Sequence, residues 1–112
     1  MSVEVQRYKT AIGRPALSLP AKLLFQSGLV TDETTVLDYG CGRGDDVKFL
    51  KELGIPAVGW DPHFVPDPSL LVNHDIVNLG FVLNVIEEPK ERQTVLSEAY
   101  ALADKCLSVS VM

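Results

Sequence analysis

Three glycines at alternate positions, Gly40, Gly42 and Gly44, form the part of this sequence best suited to chemistry. They follow a short apolar segment that has the composition of a buried strand and precede one that has the pattern of a helix. A glycine-rich turn from a strand into a helix lets backbone N–H groups approach an anionic ligand, and the helix dipole assists. The acidic residue Asp38 stands two positions before the first glycine.

The glycine spacing discriminates between three kinds of nucleotide-binding loop. A phosphate-binding P-loop ends in Gly-Lys-Ser/Thr, whereas this segment continues as Gly-Asp-Asp. A dinucleotide-binding loop requires its third glycine at the position that Asp45 occupies here. Glycines at 40, 42 and 44 with an acid at 38 have instead the spacing of an S-adenosylmethionine loop.

Residues 38–46 (Asp-Tyr-Gly-Cys-Gly-Arg-Gly-Asp-Asp) resemble the first motif of class I S-adenosylmethionine-dependent methyltransferases. Longer strings are similar to the methyltransferases associated with DNA phosphorothioation: 7–12, 17–20, 59–62 (Gly-Trp-Asp-Pro) and 77–87 (Val-Asn-Leu-Gly-Phe-Val-Leu-Asn-Val-Ile-Glu). The resemblance covers residues 7–112. It implies a methyltransferase, or its cofactor-binding domain, that uses S-adenosylmethionine and is linked to DNA modification, with the methyl acceptor unspecified.

The resemblance also assigns residues to the cofactor. The expected cofactor-binding set is Asp38, Gly40, Cys41, Gly42, Gly44, Asp61, Pro62 and Asn78. Asp61 ends the second predicted strand, where an acid accepts hydrogen bonds from ribose hydroxyls; the alternative is a turn-forming residue before Pro62. Asp38 is expected to orient the methionine end of the cofactor, and the alternative is an acid that braces the loop.

Asn78 and Phe81 are the catalytic candidates. Their spacing is that of the motif with which amino-directed DNA methyltransferases hold the target amino group and stack on the base. Leu79 and Gly80 stand where those enzymes carry two prolines. The alternative for Phe81 is ordinary packing in the core.

No metal site or thiol chemistry is predicted. His63 and His74 flank a proline-rich segment and lack a third ligand at a suitable spacing. Two cysteines are too few for a disulfide scaffold. Cys41 is expected to be a small residue that fits the glycine turn rather than a nucleophile.

The elements that must position these residues alternate between helix and strand. Helices are predicted from the Ser18 cap to Gly28, from Asp45 to Gly54 and over about 89–104. The last helix is expected to bury Val95, Leu96, Ala99, Leu102 and Ala103. Strands are predicted at 35–39, 56–60, 75–79 and 106–111, with a loop over 63–74. The pattern predicts an α/β fold, a Rossmann-like parallel sheet of about four strands with flanking helices. The resemblance implies that this is a truncated or minimal class I methyltransferase fold.

Length and charge bound the remaining possibilities. The 112 residues suit a single domain over 1–112, and no apolar run is long enough to span a membrane. The N-terminus lacks the features of a signal peptide, so a cytoplasmic protein with reduced thiols is expected. Net charge is −5, yet residues 1–22 carry four bases and one acid. Residues 1–17 therefore read as a basic arm, either solubilising or lying over the cofactor site.

Several partners and alternatives stay open at this point. The short sheet predicts a fragment of a longer protein with an open edge, through which a homodimer could form. S-adenosylmethionine or S-adenosylhomocysteine is the expected ligand, with nucleic acid or DNA-modification proteins as further partners. The alternatives are a non-catalytic nucleotide-binding scaffold module of a DNA-modification system and a fragment of a Rossmann-type oxidoreductase.

Overall fold

Four strands form one sheet in which all neighbours run parallel. The computed structural model describes residues 17–111 and places the strands in the order β2-β1-β3-β4. They are β1 (Val36–Tyr39), β2 (Ala57–Trp60), β3 (His74–Gly80) and β4 (Ala103–Ser110). The central strand β1 pairs Asp38 with Gly59 of β2 on one side and with Asn78 of β3 on the other.

Residues 17–111 contain three α-helices: α1 (Leu19–Gln26) precedes β1, α2 (Asp45–Glu52) connects β1 to β2, and α3 (Pro89–Leu102) connects β3 to β4. Short 3-10 helices occupy Pro68–Leu70 and Leu83–Val85. Local chemistry fixes the helix starts. The side chain of Ser18 caps α1 by accepting from the N–H of Ala21, and Glu88 caps α3 by accepting from the N–H of Lys90.

Neighbouring strand residues point to opposite sides of the sheet, so both faces carry apolar side chains, and helices cover both. Val36 and Ile76 pack with Leu24 of α1 and Leu50 of α2 in one buried cluster. Leu37, Tyr39, Val77 and Leu79 pack with Ala99 of α3 in the other. The chain is therefore a three-layer α/β structure, which confirms the predicted Rossmann-like parallel sheet of about four strands with flanking helices.

Two details differ from the sequence prediction. The last helix ends at Leu102 and β4 begins at Ala103, three residues before the predicted strand, because Ala103 already pairs with His74. Leu96 was expected in the buried face of α3 but is 38% exposed. It lines an open groove beside Val111, where no described element covers it.

The basic arm lies outside the described residues apart from Leu17, so the prediction that it covers the cofactor site is not addressed by the fold. Within residues 17–111, no helix is long and apolar enough to cross a membrane.

Candidate functional site

The loop over residues 40–44, the glycine loop, joins β1 to α2 through left-handed backbone. Gly40, Gly42 and Gly44 have φ angles of 85°, 58° and 87°, a region that residues with a Cβ disfavour. The N–H groups of Gly40 and Cys41 both donate to the carbonyl oxygen of Trp60, at 2.7 and 3.0 Å. The loop is therefore folded back onto the end of β2.

The two sides of the glycine loop differ in how closely protein approaches them. A Cβ at Gly40 would lie 2.6 Å from Cγ2 of Val82, just beyond β3. At Gly42 and Gly44, no heavy atom of the described residues other than the glycine and its chain neighbours lies within 4 Å of the corresponding position. The loop is thus pressed against the end of β3 at its start and open at its middle and end.

Asp61 ties the glycine loop to the turn after β2. Its Oδ2 accepts from the N–H of Gly42 at 2.8 Å, and its Oδ1 accepts from His63 and Phe64 at 2.9 and 3.1 Å. Slight burial raises the pKa of Asp61, but the bonds from His63, Phe64 and Gly42 outweigh it and the net pKa is lowered. The carboxylate is therefore ionised at neutral pH, and Oδ2 keeps a second lone pair for a ligand hydroxyl.

Asp38 and Asn78 form a buried polar pair in the middle of the sheet. They are 7% and 3% exposed, and Nδ2 of Asn78 donates to Oδ1 of Asp38 at 3.2 Å. Burial, then the charge of Asp46, and to a lesser extent that of Asp61, raise the pKa of Asp38 to about 7, although the Asn78 bond opposes them. The Oδ1 of Asn78 has no partner among the described residues. This pair lies on the α1 and α2 face, in line with Val36 and Ile76.

Asp46 joins the start of α2 to the start of α1. Its Oδ1 accepts from the backbone N–H of Ser18 at 2.7 Å, and its Oδ2 accepts from the Ser18 hydroxyl at 2.5 Å. The first described residues therefore lie beside the glycine loop, at the carboxyl edge of the sheet. Sequence analysis had not weighed Asp46 as a contact between helices.

A cavity of about 590 Å³, the α3 cavity, opens on the other face between α3 and the carboxyl ends of β1, β2 and β3. Tyr39 and Trp60 form one wall, with ring centroids 5.0 Å apart and planes inclined by 44°. Phe81 adds another ring to the lining. It has a φ of 61° and is the sole described non-glycine residue with positive φ, a conformation that costs about 1–2 kcal/mol.

The α3 cavity contains only part of the predicted site. Four predicted residues line it: Gly40, Asp61, Pro62 and Phe81. Asp38 and Asn78, which were predicted separately, are in contact with each other but lie on the opposite face. Cys41 and Gly44 line a smaller cavity of about 280 Å³ between α2 and β2.

Glu98 is the contact in this region that sequence analysis missed. The hydroxyl of Tyr39 donates to its carboxylate. Burial, together with this bond and the charge of Glu98, raises the pKa of Tyr39, so the hydroxyl stays protonated. The sequence signal for this contact is the helical spacing of Glu91, Thr94 and Glu98, which places them on one face of α3. That this face meets Tyr39 depends on the side of the sheet to which Tyr39 points, which the spacing does not show.

The thiol and the imidazoles show no catalytic arrangement. Burial, then the charges of Asp38 and Asp61, raise the pKa of Cys41 to about 11, which keeps the thiol protonated. His63 packs edge-on against Phe64 with ring centroids 4.6 Å apart. Across residues 17–111, no group of three or more His, Cys, Asp or Glu residues could hold a metal ion.

Comparison with known proteins returns no relatives. No family model matches the chain. No curated protein and no solved structure matches it either.

Proposed function

We propose that this chain binds S-adenosylmethionine and is a methyltransferase that uses it, or the cofactor-binding domain of one. The observation that carries the proposal is the bond between the Gly42 N–H and the Asp61 carboxylate, at 2.8 Å. This bond joins the two segments that the resemblance assigns to the cofactor. Both lie at the carboxyl edge of a parallel sheet, where ligands of open α/β folds bind.

The residues at this edge fit such a cofactor. Asp61 Oδ2 would accept from a ribose hydroxyl, and the open side of Gly42 and Gly44 would let the ligand approach the backbone. The Oδ1 of Asn78, which has no hydrogen-bond partner within residues 17–111, is an acceptor for an amino group. When bound, S-adenosylmethionine supplies a methyl group on a positively charged sulfur, which is already a good leaving group.

The role of the protein in this proposal is to bind and orient. The ionised carboxylate of Asp61 places negative charge near a cationic ligand, which favours its binding. No acid–base pair is required of the chain, because orientation of two bound reactants alone supplies much of the acceleration. Phe81, which lines the α3 cavity, has left-handed backbone, and the surrounding structure must hold it in that strained conformation.

Calorimetric titration with S-adenosylhomocysteine tests the proposal. We expect the unaltered chain to bind, and Asp61→Asn to weaken binding by about tenfold or more, since the hydroxyl loses an ionised acceptor. Asp67→Asn is the matched control. That carboxylate also accepts from a nearby backbone N–H, that of Ser69, but lies outside the α3 cavity. The affinity of the Asp67→Asn variant for S-adenosylhomocysteine should stay within about twofold of that of the unaltered chain. Failure of the unaltered chain to bind would contradict the proposal.

The resemblance supports a finer form of the proposal. It places the chain in DNA phosphorothioation, with nucleic acid or DNA-modification proteins as partners and the cytoplasm as location. Incubation with methyl-labelled cofactor and separate pools of DNA, RNA and protein would identify the acceptor class.

A second candidate is a non-catalytic nucleotide-binding scaffold module. It is favoured by the connection between β2 and β3, where the only regular element is the short 3-10 helix Pro68–Leu70. Cofactor binding without methyl transfer to any pool would select this candidate over the enzyme.

A further inference from the structure

The α3 cavity has aromatic walls on its sheet side. Tyr39 and Trp60 lie in van der Waals reach of each other, and Phe81 lines the same space. Faces of aromatic rings carry partial negative charge and attract cations within about 6 Å. A volume of about 590 Å³ is within the range of sites for small organic molecules.

The rim of the α3 cavity is acidic. Glu91 and Glu98 line it from one face of α3, and Asp61 lines it from the end of β2. None of the described residues that line it is Lys, Arg or His. The Tyr39 hydroxyl holds the Glu98 carboxylate in place. Phosphate groups would be repelled here, whereas an ammonium group would meet both carboxylates and ring faces.

We propose that the α3 cavity binds a small amine with an aromatic or apolar body, and that this amine is the methyl acceptor. The acceptor role rests on the proposed function, whereas amine binding does not. Gly40 and Asp61 belong both to the cavity and to the cofactor edge, so the two ligands would be neighbours. In the transfer, the bound ammonium group first loses one proton, and the nitrogen lone pair that this frees forms the N–CH₃ bond as the S–CH₃ bond breaks, with the electron pair of the broken bond staying on sulfur. The proton leaving nitrogen passes to a rim carboxylate or to water.

Trp60 makes the inference directly testable. It is the single tryptophan of the sequence and lines the cavity, so intrinsic fluorescence reports on binding there. We expect 2-phenylethylamine to change the fluorescence saturably. The uncharged 2-phenylethanol, which has nearly the same size, should bind about tenfold more weakly. Equal affinity for amine and alcohol would overturn the inference.

Variants of the rim carboxylates separate charge from shape. Glu98→Gln keeps an oxygen for the Tyr39 hydroxyl and should weaken amine binding by about 3- to 10-fold, with alcohol binding nearly unchanged. Glu91→Gln gives an independent measurement if Glu98→Gln perturbs the fold. Glu52→Gln, at the exposed end of α2, is the control and should bind both molecules as the unaltered chain does. Loss of amine affinity in this control as large as in Glu98→Gln would contradict a local role for the rim.

Titrations with and without S-adenosylhomocysteine distinguish the two proposals. Amine binding in the presence of bound S-adenosylhomocysteine supports both. If S-adenosylhomocysteine fails to bind while the amine binds, the proposed function fails and the amine site stands. If S-adenosylhomocysteine displaces the amine competitively, the cavity belongs to the cofactor and the inference is overturned.

Discussion

At the scale of single residues, the carboxyl group of Asp38 is placed where ionisation is costly. It is 7% exposed and accepts a hydrogen bond from Asn78, while the charges of Asp46 and Asp61 repel it. Burial is the larger of these influences, and the pKa rises from 3.8 to about 7. The folded protein therefore holds a proton over a pH range in which the unfolded chain has released it.

The stability of the protein should consequently fall between pH 3.8 and about 7 because of Asp38. In this window the folded state binds more protons, so the free energy of unfolding decreases as pH rises, and it levels off above the folded pKa. Asp38→Asn should remove this slope and stabilise the protein at pH 8 by an amount on the order of a few kcal/mol. Urea denaturation at pH 5 and pH 8 measures both effects.

The exposed Asp32→Asn is the control for that experiment, because it makes the same chemical change away from the sheet. Its unfolding free energies should follow those of the unaltered chain at both pH values. A slope in Asp38→Asn as steep as in the unaltered chain would show that Asp38 is ionised throughout.

At the scale of elements, the sequence predicts those features, such as helix caps and turns, that depend on residues close together in the chain. The cap at Ser18 and the glycine loop are local signals, and both occur where they are expected. The start of β4 is not local, because pairing of Ala103 with His74 draws the strand back to the end of α3. The exposure of Leu96 depends likewise on what lies over α3, which periodicity alone does not reveal.

In the candidate site, too, the residue types could be predicted from the sequence, whereas the contacts between them depend on the fold. Asp38 and Asn78 were predicted separately, and the parallel pairing of β1 with β3 brings them side by side. Glu98 could not be predicted, because it lies 59 positions from Tyr39 and exposed glutamates are common on helices.

The hydrogen bonds between Ser18 and Asp46 form a joint between α1 and α2, and we expect this joint to stabilise the protein. Ser18→Ala removes the hydroxyl that bonds Asp46 at 2.5 Å and that caps the N–H of Ala21. We expect the free energy of unfolding to fall by about 1–2 kcal/mol in urea denaturation. Ser97→Ala, at an exposed position of α3, should change it by less than about 0.5 kcal/mol. Equal stability of the two variants would contradict a role for this joint.

At the scale of the whole molecule, β4 forms an edge of the sheet. Among the described residues it pairs with β3 alone, so one side of this 8-residue strand presents free N–H and C=O groups. Val109 in this strand and Val111 just after it are 42% and 58% exposed. An unpaired edge of this length, with an exposed valine near its end, favours pairing with another chain.

We therefore expect self-association through the β4 edge in sedimentation velocity experiments over a range of protein concentrations. Val109→Lys should shift the chain to monomer, because a charge on an edge strand opposes strand pairing. Val72→Lys, an equally polar change at a 53% exposed loop position, should leave association unchanged. A monomeric unaltered chain at every concentration would contradict the expectation.

The junction of α3 with β4 has a mechanical consequence. Because α3 ends at Leu102 and β4 begins at Ala103, no connecting residue is available there as a hinge. Tilting α3 about that end would strain the ladder between β4 and β3. We therefore expect any widening of the α3 cavity to be absorbed at the opposite end of α3, by a rearrangement of residues 81–88, where a short 3-10 helix and the strained Phe81 replace regular structure. The rate at which a ligand enters and leaves would then be set by that short segment rather than by the sheet or α3.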